Sequence, residues 1–143
     1  MYQGIVDLVW LNNGPFVVAW LRENSDECMW QMIMQCKDED KRVDLYKSLI
    51  FLLEEVNKRK ITELTLIIGD HIILNHLKKG RLPKKAAQLS RYEEVKNLLH
   101  NLTLVEFTAI SETQKEQNQT VEMMDHFASG EENNPDLVMI SFL

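Results

Sequence analysis

The chain is short of the residues that make rigid or cross-linked proteins: two cysteines, three prolines and five glycines in 143 residues. Two cysteines cannot build a disulfide framework. Cys28 and Cys36 also fall on one expected strand, too far apart to bond each other, so both are read as reduced and the protein as cytoplasmic. No apolar run is long enough to span a membrane, and "MYQGIVDLVW" lacks the basic start and cleavage site of a signal peptide. The four histidines show no zinc-like spacing with the cysteines. A net charge of −6 argues against nonspecific coating of nucleic acid, although it permits a local basic patch. No internal repeat is visible.

What is present is an ordinary globular balance, 45% hydrophobic and 27% charged, enough for one hydrophobic core. Residues 3–11 and 15–23 are rich in β-branched and aromatic side chains and flank "NNGP", a turn signal. Residues 27–36 alternate Cys28, Trp30, Met32 and Met34 with their neighbours, which completes an antiparallel meander. The period then changes. Tyr46, Leu49, Ile50, Leu53 and Val56 recur three and four apart, so 38–60 reads as an amphipathic helix. "LTLII" (64–68) follows as a strand covered on both faces, and "HIILNHL" as a short helix. Gly80 and Pro83 break the chain over 78–88. Ser90 and Glu93 form a capping-box pattern ahead of another helix, and 102–110 reads as the last strand. A terminal helix is expected over 112–128, then a linker and an apolar tail over 129–143. Right-handed crossovers would set 64–68 beside the first strand.

The stretch "ELTLIIGDHIILNHL" (63–77) carries the first functional signal. A carboxylate ending a buried strand is costly unless it is solvated, paired or bound to a cation. Asp70 therefore reads either as a helix N-cap or as a metal ligand. Asp7 is the one acid of the first strand, with an exposed strand position as its alternative. "KKGRLPKK" places Lys78, Lys79, Arg81, Lys84 and Lys85 within eight residues, either a solvated loop or a phosphate-binding patch. Trp10, Trp20 and Trp30 are expected in core packing rather than as base-stacking platforms.

This element order, with a carboxylate closing the fourth strand, resembles the ribonuclease H-like superfamily over roughly residues 3–128. "LTLIIGDHIILNHL" is similar to its strand, Gly-Asp and helix, "LYKSLIFLLEEV" (45–56) to its first long helix, and "KEQNQTVEMM" (115–124) to the lead-in of its last helix. The resemblance implies an α/β fold: a mixed five-stranded sheet, three antiparallel strands and then alternating helices and strands, with helices on both faces. It implies a domain over 1–128 and metal-dependent cleavage of RNA in an RNA/DNA hybrid. The cofactor would be Mg²⁺ or Mn²⁺ held by four carboxylates, because hard ions want several oxygen ligands.

Carried over residue by residue, the catalytic and metal positions are Asp7, Asp70 and Glu122. Leu45 falls where the helix glutamate belongs, and the adjacent Asp44 is a possible substitute. The resemblance places a basic substrate-binding protrusion near 78–85. The expectation is therefore an eroded two-metal site in a nucleic-acid or protein interaction module with weak or no nuclease activity. The alternatives are an active ribonuclease H using Asp7, Asp44, Asp70 and Glu122, or a protein-interaction domain with no nucleic-acid role. The apolar tail, too short for a membrane, would pair within the molecule, with a dimer mate or with a protein partner.

Overall fold

The computed structural model describes residues 1–11, 14–24, 28–114 and 137–140. Three long strands open the chain: β1 (Tyr2–Leu11), β2 (Gly14–Glu23) and β3 (Cys28–Gln35). β1 and β2 pair antiparallel with Leu11 opposite Gly14, and β2 and β3 pair antiparallel with a register shift at Leu21/Arg22. Helix α1 (Lys41–Lys58) leads to β4 (Glu63–Ile68), α2 (His71–Lys79), α3 (Ala86–Leu99) and β5 (Leu104–Ala109). The sheet order is β5-β4-β1-β2-β3-β6, with β4 parallel to β1 and β5 parallel to β4. The expected five strands and the expected placing of 64–68 beside the first strand are thus observed. The sixth strand, β6 (Leu137–Ile140), comes from the tail and lies parallel to β3 at the sheet edge. The terminal helix expected over 112–128 lies almost wholly outside the described residues, as does the linker at 129–136.

One core joins three helices to one face of the sheet. It gathers Val6, Val17, Met32 and Met34 from the meander, Leu49, Leu52, Leu53 and Val56 from α1, and Leu64, Leu66 and Ile68 from β4. Ile73 and Leu77 of α2 and Tyr92, Val95 and Leu99 of α3 complete it. Val9, Phe16, Val18 and Ile33 form a second buried cluster. Side chains alternate along a strand, so this cluster lies on the opposite face of the sheet.

Two local details position the site. Helix α1 is capped by Asp40, whose Oδ1 accepts the Arg42 N–H at 3.0 Å, and α2 is capped by Asp70, whose Oδ1 accepts the Ile72 N–H at 3.0 Å. Each such cap contributes about 1 kcal/mol. Helix α3 begins at Ala86, a turn earlier than the Ser90 capping box suggests, and without a side-chain cap. Its first turn is held from outside instead: Gln88 is buried and donates to Asp40 Oδ2 at 2.6 Å. That tertiary bond outweighs the local capping signal.

Candidate functional site

Where β4 ends beside the start of α1, the surface opens into a cavity of about 750 Å³ lined by Leu8, Trp10, residues 39–42, Leu45, residues 69–71 and Lys85. Asp70 stands in its wall. Besides capping α2, its Oδ2 accepts a 2.6 Å bond from Arg42 Nε. Arg42 is partly exposed, so the pair is screened on one side and contributes about 1 kcal/mol. Arg42 and Leu45 are three residues apart on α1 and face the same way. Asp40, across the cavity, takes Gln88 on one oxygen and lies 3.8 Å from Lys85 Nζ. Burial raises its pKa, but the hydrogen bonds from Gln88 and the Arg42 N–H, with the charges of Lys85 and Arg42, hold the carboxyl below its ordinary value.

The other acids of the first strand and first helix point elsewhere. Leu8 packs against the main core and lines the cavity, whereas Val9 belongs to the opposite cluster. Alternation therefore puts Asp7 on the face away from α1. The packing at Gly69 agrees. A Cβ there would overlap Asp7 Oδ1 and come within 2.8 Å of its Cγ, while Ile68 and Asp70 project to the α1 side. Asp7 is fully buried, with its Oδ1 accepting the Leu8 N–H at 2.8 Å. The sheet lies between Asp7 and Asp70.

Asp44 turns away as well, as a step of about 100° along a helix requires. Its Oδ2 accepts the Asp38 N–H at 3.1 Å, and its Oδ1 has no hydrogen-bond partner among the described residues. Burial pushes its pKa up, and burial together with the Asp44 charge pushes the Cys36 thiol up to about 12. Asp44 thus belongs to the β3–α1 connection. Leu45, 4% exposed, is the residue that reaches the cavity.

Solved structures share this architecture. RNase H1 of the halophilic archaeon Halobacterium salinarum superposes with a TM-score of 0.68, at 14% identity, covering 80% of this chain and 89% of that one. The N-terminal RNase H domain of a Mycobacterium tuberculosis protein gives 0.68 at 13% identity, covering 80% and 91%. LC11-RNase H1, solved in complex with an RNA/DNA hybrid, gives 0.68 at 12% identity, covering 80% and 88%. The fold is ribonuclease H-like. No protein-family model matches the chain, and no curated protein does.

Within this ribonuclease H-like fold, a divalent ion would need several oxygens converging on one point. Among the described residues no three His, Cys, Asp or Glu are grouped to hold a metal ion. Asp70 is the one expected ligand on the cavity wall, and it is bonded to a guanidinium; Glu122 lies outside the described residues. The described side chains do not fit a two-metal centre. Arg42 belongs to no sequence motif, and only its spacing of three from Leu45 puts it on the same face of α1.

The basic segment divides between two places. Lys85 reaches the cavity with its side chain 73% exposed, whereas Arg81 and Lys84 flank a second hollow of about 440 Å³ with Ile72, Asn75, His76 and Leu82. Lys78 and Lys79 are exposed at the end of α2, where Gly80 takes the left-handed conformation (φ 69°) that ends the helix. No helix among the described residues is long and apolar enough to cross a membrane.

Tyr46 Oη and His76 Nδ1 share a buried 2.6 Å hydrogen bond, with Tyr92 edge-on to the imidazole. Burial lowers the His76 pKa below its ordinary 6.5, more than offsetting the pull of Asp70. A folded-state pKa below the unfolded one means the unfolded chain binds more protons in that window, so stability rises with pH there. Denaturant titrations are therefore expected to show stability falling as pH drops through 6.5, levelling off below the folded-state pKa. The His76→Phe variant should lose this slope; an unchanged slope would place its origin elsewhere.

Proposed function

We propose that this domain is a ribonuclease H-like nucleic-acid interaction module whose two-metal site has eroded, with weak or no nuclease activity. The observation that carries the reading is the Arg42–Asp70 bond beside Leu8 and Leu45. A fixed side-chain cation neutralises the strand-end carboxylate, and apolar groups stand where further oxygen ligands would be needed. The hybrid in the LC11-RNase H1 complex supports an RNA/DNA hybrid as the partner class here. Lys78, Lys79, Arg81, Lys84 and Lys85 would supply phosphate contacts, in a chain whose overall charge of −6 leaves that segment as a local positive feature. A cytoplasmic location, where Cys28 and Cys36 would stay reduced, goes with this reading.

The deciding assay is cleavage of a labelled RNA/DNA hybrid in Mn²⁺, beside Asp70→Asn. The natural sequence should give no more product than the variant. It should still bind the hybrid with an affinity that falls with salt and weakens about fivefold in Lys78→Ala/Lys84→Ala. Metal-dependent cleavage lost on Asp70→Asn would establish an active nuclease. Absence of salt-dependent hybrid binding would leave a protein-interaction domain.

A further inference from the structure

Trp10 breaks the pattern of the strand aromatics. Trp30 is buried and Trp20 half-buried in the sheet, as core packing requires, but Trp10 is 58% exposed on the cavity wall. Lys41 Nζ lies 5.4 Å from its ring centroid, so the cation holds the indole at the rim. Leu8 and Leu45 supply apolar lining, and Arg42 and Asp70 supply hydrogen-bonding groups. Its volume of about 750 Å³ falls within the range of small-molecule pockets. Three cations, Lys41, Arg42 and Lys85, face three carboxylates, Glu39, Asp40 and Asp70, so the lining is electrostatically balanced. A balanced lining gives a bare phosphate little net attraction. A lining that combines an exposed aromatic, apolar side chains and polar groups suits a flat heterocycle with polar edges.

We infer that this cavity takes a single unpaired nucleobase, stacked on Trp10 and seated against Leu8 and Leu45, with its sugar-phosphate towards Lys41 and Lys85. The inference rests on the nucleic-acid reading for its ligand class, yet it uses the α1 cavity rather than the basic segment 78–84. In this view the leucines that remove metal ligands also build the apolar lining of a base pocket.

Calorimetric titration of the full chain with AMP, ribose 5-phosphate and pentaadenylate tests it. AMP or pentaadenylate is expected to bind and ribose 5-phosphate is not. Binding by AMP alone assigns a free nucleotide, and binding by the pentanucleotide assigns an unpaired base in a strand. Trp10→Ala should weaken binding about tenfold or more, the scale of losing one stacking platform, and Trp10→Phe should restore part of it. Because Trp10 is exposed, both variants should melt like the natural sequence. Equal binding of ribose 5-phosphate and AMP, or unchanged affinity in Trp10→Ala, overturns the base pocket. Salt-dependent hybrid binding without AMP or pentaadenylate binding overturns this inference alone; AMP binding without hybrid binding overturns the earlier reading alone.

Discussion

Gly69→Ala should cost about 3 kcal/mol of stability, at the upper end of overpacking substitutions. The added methyl would overlap Asp7 Oδ1, a fully buried carboxylate oxygen at the centre of the sheet. Asp7 cannot simply rotate into water. It must move within packed surroundings or give up the Leu8 N–H, and a buried polar group that loses a hydrogen bond is expensive. The melting temperature should fall by roughly 10 °C on this scale. Spatial overlap has a second signature, non-additivity. In an Asp7→Ala background the same Gly69→Ala change should cost at most about 1 kcal/mol, because the atom it strikes is gone. Equal costs in both backgrounds would show that Gly69 and Asp7 do not touch, and with that the assignment of Asp7 to the far face would fall.

That face assignment is the point at which sequence reasoning reached its limit. The strand and helix order was legible because periodicity changes sharply between residues 27–36 and the run from Tyr46 to Val56. Leu45 lines the cavity, and its spacing of four from Leu49 continues the apolar face of α1, so packing alone would also place a leucine there. The face of Asp7 was not legible. The segment "IVDLVWL" is apolar at nearly every position because both faces of β1 are covered, with Val6 in one cluster and Val9 in the other. Without alternation nothing fixes which residues face α1, and a slip of one residue exchanges the faces. The same blindness hid Leu8, which holds the cavity position beside Asp70. Trp10 escaped for a related reason, since an aromatic on a covered strand is normally core and only the opening at the sheet end exposes it.

If Leu8 and Leu45 stand where metal ligands would have to be, replacing them should rebuild an ion site. The variant to make is Leu8→Asp/Leu45→Glu/Arg42→Ala, which adds two carboxylates to the cavity wall and releases Asp70 from its guanidinium. In chelator it should be less stable than the natural sequence by about 4 kcal/mol, because unpaired charges then crowd a partly dry pocket. Mn²⁺ should restore much of that loss. An ion bound only by the folded state adds about 2.7 kcal/mol at a hundred times its dissociation constant, and the melting temperature should climb with metal concentration accordingly. The natural sequence, with its strand-end carboxylate already neutralised by Arg42, should melt at the same temperature with and without the ion. A triple variant indifferent to Mn²⁺ would mean that positions 8, 45 and 70 do not converge, and the eroded-site reading would lose its geometric basis. A variant stabilised by the ion would show that the scaffold still presents three positions to one cation, and that side-chain chemistry alone separates this domain from a metal-binding one.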